Sequence, residues 1–214
     1  MLTKVLDADI PSVKFLCARD KRFARLVQML GPVEYYTHGD GPFSFLVHEI
    51  VEQMLSIKAG EKIFSRIAEL CGGVVAPGKI VKLSVEELRA TGVSTRKAEA
   101  ILGLAESVRS GQLDLESLEG LDDAEVTKRL TALRGIGSWT AKMYLIFVLD
   151  RSDVLPFEDV TFLAAYKWLY GTNDASREAV EKRCKKWKPY SAVAARFLYA
   201  ALDSGMCKEK FTLR

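Results

Sequence analysis

The sequence has no run of about 18 apolar residues, the length needed to cross a bilayer, so it holds no membrane-spanning helix. Its opening, MLTKVLDADIPSVKF, lacks the apolar core of a secretory signal. Cysteine is sparse, and Cys17, Cys71, Cys184 and Cys207 nowhere form a Cys-x-x-Cys pair. That scatter argues against a zinc or iron–sulfur site. It fits reduced thiols in an intracellular protein, buried as small hydrophobes. His38 and His48 have no ligand-like spacing to those cysteines, so no chemistry is assigned to either. There is no internal repeat and no low-complexity linker. Strand signals are poor: Val74-Val75-Ala76, beside Gly72 and Gly73, is too short to build a sheet. A strong charge excess is also missing. The net charge of +3 permits nucleic-acid binding without demonstrating it.

What is present is a helical pattern. Of 214 residues, 49% are hydrophobic and 28% charged, enough for a packed core and against disorder. Phe43 to Ala59 reads as one helix, with Leu46, Ile50, Met54 and Ile57 at helical spacing. Ser84-Val85-Glu86-Glu87 is a capping box. Ser94 or Thr95 opens a helix that runs to about Ser110, and Asp122 or Asp123 opens the next. Ser138 to Leu149 is strongly apolar. Further helices are expected from Asp159 to Tyr170, from Asn173 or Asp174 to Trp187, and from Ser191 to Leu202. The forty residues before Phe43 also read helical. The expected fold is all-α, about ten helices in one domain over residues 1–214. That domain divides into two lobes with a cleft between them: central helices at about 43–150, and the termini with 157–214 packing together.

Basic residues crowd one segment: Arg177, Lys182, Arg183, Lys185, Lys186 and Lys188. Either they form a solvated helix face or they contact phosphates.

The densest information lies between Leu133 and Asp159. Leu133-Arg134-Gly135-Ile136-Gly137 lacks the preceding strand and third glycine of a dinucleotide-binding loop. Two glycines do permit a tight turn between helices and close approach of a ligand to the backbone. The amides that open the following helix favour an anion, such as a DNA phosphate. Asp159 stands where the next helix starts. On its own it reads as an N-cap, and a catalytic carboxylate is the alternative.

Leu130-x-x-Leu133-x-Gly135-Ile136-Gly137-x-Trp139-Thr140-Ala141, followed by Leu155-Pro156-x-x-Asp159, resembles the helix-hairpin-helix (HhH-GPD) DNA glycosylases. Within them it is most similar to the alkylpurine branch, the 3-methyladenine DNA glycosylase II enzymes. Ile50-x-x-Gln53-x-x-Ser56 and Trp187-Lys188-Pro189 extend the likeness to most of the chain. The resemblance places a helix-hairpin-helix motif and Asp159 beside the central cleft. It implies flipping of an alkylated purine out of duplex DNA and hydrolysis of its glycosidic bond, leaving an abasic site.

The resemblance also implies roles. Asp159 matches the catalytic aspartate, beside a sugar that gains positive charge. Glu158 is adjacent and the weaker candidate. Trp139 occupies the position where bifunctional relatives carry a lysine, which implies base removal without strand cleavage. Lys142, one turn on, is DNA-facing or solvated, with a covalent nucleophile as the alternative. Trp139 and Tyr199 match aromatic pocket positions suited to an electron-poor purine. Core packing is the other reading of each. Met143 stands where relatives can carry a tyrosine, with Tyr144 next to it, so these two shape the pocket. Met54 matches the wedge that fills the emptied stack, against core packing in its helix. Gln53 would hold the distorted strand. Arg134, Gly135, Gly137, Ser138, Thr140 and Lys142 would face the DNA backbone. The carbonyls of Thr131, Leu133 and Ile136 match those that hold a sodium or potassium ion in related hairpins.

The expected protein is therefore a monomer acting on damaged double-stranded DNA. It needs no cofactor and resides in the cytoplasm or nucleoid of a prokaryote or the nucleus of a eukaryote. A same-fold enzyme for oxidised or deaminated purines is one alternative, and a non-catalytic hairpin DNA-binding module is another.

Overall fold

The computed structural model describes residues 3–36 and 41–213; His38 and Arg214 lie outside them. Strand β1 (Thr3–Leu6) leads into α1 (Pro11–Arg19), α2 (Lys21–Leu30) and strand β2 (Val33–Tyr36). Next come α3 (Pro42–Glu52), α4 (Ile57–Leu70), α5 (Pro77–Ile80), α6 (Val85–Ala90), α7 (Thr95–Arg109), α8 (Asp123–Thr131) and α9 (Ser138–Phe147). The last three helices are α10 (Val160–Tyr170), α11 (Arg177–Cys184) and α12 (Ser191–Asp203). No helix among the described residues is long and apolar enough to cross a membrane.

Side-chain caps set half of these starts, because the first amides of a helix have no internal partner. Asp20 caps α2, Ser94 caps α7, Asp122 caps α8 and Ser176 caps α11. Ser84 and Glu87 form the expected capping box on α6. The start expected at Asn173 or Asp174 falls instead at Ser176. Asp174 accepts the Ser176 amide at 3.0 Å and shapes the preceding turn.

Two expectations fail. The segment Phe43–Ala59 is not one helix: it breaks after Glu52, and α4 starts at Ile57. The first forty residues are not wholly helical either. β1 and β2 pair antiparallel, Thr3 against Tyr36 and Leu6 against Val33. Strands of four residues carry too little alternation to be read from sequence, and a lone pair of them is marginal in water. Packing holds this one. Leu6 and Val33 are buried, and the Arg196 guanidinium lies 3.8 Å from the centre of the Tyr35 ring. Arg196 also donates to Asp150 at 2.8 Å, and Lys4 pairs with the same carboxylate. With this sheet, the described residues hold twelve α-helices rather than about ten.

The chain separates into two units, one of residues 3–36 with 150–213 and the other of residues 41–149. In the first, α10 and α12 pack together around Phe23, Phe162, Tyr166, Trp187 and Phe197. Asp20 is buried among them. Its Oδ1 caps α2, while its Oδ2 accepts from Tyr170, from Trp187 Nε1 at 3.0 Å and from Lys186 at 3.0 Å. In the second unit α3 packs against α4, α7 and α9, and α5 and α6 pack on α7. Leu46, Ile50, Ile67, Ile101, Leu104 and Tyr144 are fully buried there.

Candidate functional site

Helices α8 and α9 pack together and are joined by a six-residue turn, the predicted hairpin. Leu130 and the turn's own Ile136 are buried and peg it down. The Ile136 amide closes the turn on the Leu133 carbonyl at 3.2 Å. The two glycines differ in purpose. Gly135 sits at φ 88°, and a Cβ there would lie 2.6 Å from the Ala100 Cβ, so both strain and space exclude a side chain. Gly137, the N-cap of α9, has φ −101° and nothing within 4 Å of a built Cβ. Its own fold does not demand glycine; the open space admits a ligand. Arg134 is exposed and pairs with Glu99 at 2.9 Å, and Ser138 opens α9 at the surface. Among the described residues, no backbone amide donates to the carbonyls of Thr131 or Ile136.

The break after α3 proves informative. Met54 lies at φ 60°, a left-handed conformation unusual for a bulky residue, and its side chain is fully exposed. The core reading of Met54 is therefore wrong: it never joins the apolar stripe that Leu46 and Ile50 form. The Gln53 amide turns inward, its Nε2 donating to the Gly135 carbonyl at 2.8 Å. Thr140, almost fully buried, presents Oγ1 at 3.4 Å to the same nitrogen. Sequence reasoning missed Lys97, whose ammonium donates to the carbonyls of Val51 and Gln53, each at 2.7 Å. In the sequence it sits in Ser94-Thr95-Arg96-Lys97 and reads only as part of a helix start.

On α9, Trp139 and Lys142 are half-buried, while Met143 and Tyr144 are buried. Tyr144 meets Phe45 edge-on, and burial pushes its hydroxyl well above the ordinary phenol range. Among the described residues that hydroxyl has no hydrogen-bond partner.

The other unit carries Asp159 and Tyr199, on the mutually packed α10 and α12. Asp159 is only 6% exposed and is an N-cap, its Oδ1 accepting the Phe162 amide at 2.6 Å. Glu158 precedes it in the turn, and Val160, the next residue, is 78% exposed. Tyr199 is half-buried against the core of its unit.

Half of the basic cluster is engaged within the protein. Arg177 pairs with Glu181 at 2.8 Å and covers the Phe157 ring. Arg183 lies over Tyr170, and Lys186 binds Asp20. Lys182, Lys185 and Lys188 remain at the surface. His48, given no chemistry above, sits between two glutamates, its Nδ1 3.7 Å from Glu49 and its Nε2 3.5 Å from Glu52. Burial lowers its pKa, but the adjacent Glu49 and Glu52 carboxylates raise it further, for a net rise.

Residues 47–189 match the model of the HhH-GPD superfamily of base excision DNA repair proteins. The chain belongs to this family. A DNA-3-methyladenine glycosidase from Bacillus halodurans is 39% identical, with a TM-score of 0.85 over 98% of this chain and 97% of its own. A 3-methyladenine DNA glycosylase from Schizosaccharomyces pombe, solved in complex with abasic DNA, is 30% identical. Its TM-score is 0.81 over 91% of this chain and 97% of its own. The Alkylbase DNA glycosidase-like protein mag2 of the same yeast is 30% identical over 192 residues, 87% of this chain and 90% of its own. The HhH-GPD match takes in Gln53, Met54, the whole hairpin, Trp139 and Asp159, while Tyr199 lies beyond it.

Proposed function

We propose that the protein is a monofunctional DNA glycosylase that removes alkylated purines, of the 3-methyladenine and 7-methylguanine type, from duplex DNA. The observation that carries this reading is Met54. A fully exposed apolar side chain in a strained backbone conformation gains nothing within its own chain. It is explained by an external apolar surface, and the gap left by a flipped base is one. The relatives named above supply the substrate class, and this chain spans nearly all of two of them.

The chemistry follows from few groups. The hairpin grips a backbone phosphate through the amides around Gly137, with Arg134, Ser138 and Lys142 nearby in sequence; Thr140, expected to face the DNA, is buried against Gln53 instead. Met54 enters the duplex and the lesion swings out. Trp139 offers an aromatic face to a flat, electron-poor purine, worth about 0.5–2 kcal/mol per contact. Met143 and Tyr144 follow on the same helix and belong to that pocket in this reading, the Tyr144 hydroxyl having a hydrogen bond left to make among the described residues; Tyr199, on α12 of the other unit, is the further aromatic side chain assigned to the base. An alkylated purine is already a good leaving group, so no strong general acid is needed. The Asp159 carboxylate stabilises the positive charge growing at C1′ and orients the attacking water. Trp139 in place of a lysine limits the reaction to base removal. The carbonyls of Thr131, Leu133 and Ile136 are the ones that would hold a sodium or potassium ion, which would add positive charge facing the phosphate. The protein acts as an intracellular monomer.

The test is release of free base from methylated DNA, with borohydride trapping alongside. Appearance of 3-methyladenine and 7-methylguanine without a trapped adduct is the expected result. Release of oxidised or deaminated purines alone would replace the substrate class, and DNA binding with no base released would overturn the enzyme reading.

A further inference from the structure

Residues 52–55 form a reverse turn in which the Leu55 amide donates to the Glu52 carbonyl at 2.9 Å. Gln53 lies at φ −46°, ψ 124° and Met54 at φ 60°. These dihedrals belong to a type II turn, whose third position ordinarily takes glycine or asparagine. A methionine stays there only if its surroundings over-determine the backbone. Its side chain, being fully exposed, contributes nothing to that.

Lys97 does contribute. One of the two carbonyls it binds, that of Val51, belongs to the last turn of α3; the other, that of Gln53, belongs to the peptide leading into Met54. Bonds from an ammonium are of the strong, charge-assisted kind. Gln53 in turn reaches the hairpin through the Gly135 carbonyl. Three residues after Lys97, on the same face of α7, Ala100 abuts Gly135. One helix therefore braces both the turn and the hairpin.

We infer that Lys97 is a positioning residue that holds Met54 in its projecting conformation, with Gln53 registering the turn against the hairpin, so that wedge and anchor meet the duplex as one unit. This deepens the glycosylase reading and rests on it. A lysine that merely capped α3 would lower stability without favouring any step.

The test compares Lys97→Met, Met54→Ala and the double variant. Release of 7-methylguanine is followed in single turnover from a normal duplex and from one in which the lesion faces an abasic site, where extrusion is easier. Expected is a loss of about tenfold on the normal duplex for Lys97→Met, the same split for Met54→Ala, and no further loss in the double variant. Lys97→Arg, which keeps two donors, recovers most of the loss. Equal losses on both duplexes, or losses that multiply in the double variant, would overturn the proposal. If Lys97→Met does not fold, Lys97→Gln takes its place in the same comparison.

Fluorescence of a 2-aminopurine next to an abasic site reads duplex invasion without chemistry. Should the wild-type protein release no base, the glycosylase reading fails and this arm still decides the clamp. Brightening by wild type that is lost in Lys97→Met supports it, and equal brightening refutes it.

Discussion

The Ala100 side chain fills the space that a side chain on Gly135 would need: a Cβ added to Gly135 would lie only 2.6 Å from that of Ala100. Gly137, two residues on, meets nothing. The two glycines of the hairpin should therefore fail differently. Gly135→Ala combines an overpacked contact with a left-handed φ and should cost about 2 kcal/mol of stability. Gly137→Ala should change stability by less than about 0.5 kcal/mol. It should nonetheless weaken DNA binding about tenfold, because a methyl group intrudes where a phosphate approaches the amides. Denaturant unfolding and fluorescence anisotropy measure the two effects. Adding Ala100→Gly to Gly135→Ala should recover the steric part of the loss, leaving the backbone part.

Met54 offers the reverse separation. Asparagine tolerates the left-handed region better than methionine, and Met54 has no packing to lose. Met54→Asn should hold or raise stability, by up to about 1 kcal/mol, or about 2–4 °C in melting temperature for a chain of this size. Base release from duplex DNA should fall about tenfold all the same if Met54 is the wedge proposed above. A variant that is both less stable and fully active would contradict both halves of this account.

Asp20 ties the stability of the first unit to pH. Burial pushes its carboxyl up, but the Tyr170, Lys186 and Trp187 hydrogen bonds push it down further, so its pKa falls below the ordinary aspartate value. A depressed folded value means that the carboxylate stabilises the fold above the unfolded value of about 3.9. That contribution is lost as pH falls through the lower folded value. Asp20→Asn should thus cost about 2 kcal/mol at pH 7, and the gap from wild type should close on acidification below about pH 4. Urea unfolding at pH 7, 5 and 3 reads this directly; a gap that widens toward pH 3 would refute it.

Helix positions were legible because caps and apolar spacing are local. Ser84, Ser94, Asp122 and Asp159 each act within one turn of chain. The failures share a physical cause. The β1–β2 pair depends on partners about thirty residues apart and on Arg196, far along the chain. The turn at Gln53–Met54 carries no glycine or proline, and a methionine at helical spacing imitates a core residue. Lys97 escaped notice because its function lies in where its ammonium ends, at two carbonyls more than forty residues earlier. The hairpin and Asp159 were visible through the motif, since a Gly-x-Gly turn and a following Pro-x-x-Asp keep their spacing along the chain.

Asp159 poses the last question, since the structure shows it to be the N-cap that its sequence position suggests. A cap and a catalytic carboxylate are compatible: one oxygen holds the Phe162 amide and fixes the side chain that the proposed chemistry would use. Substitution separates the roles. Asparagine caps about as well as aspartate, so Asp159→Asn should fold with stability within about 0.5 kcal/mol of wild type. It should still bind DNA while base release drops by about two orders of magnitude or more, since the amide cannot stabilise a growing positive charge. Asp159→Ala should lose the same activity and, in addition, about 1 kcal/mol of stability from the missing cap. Single-turnover base release measured beside denaturant unfolding distinguishes them. An Asp159→Asn protein of near-normal activity would leave Asp159 as a cap alone, and the charge at C1′ would need another carboxylate, with Glu158 the first to substitute.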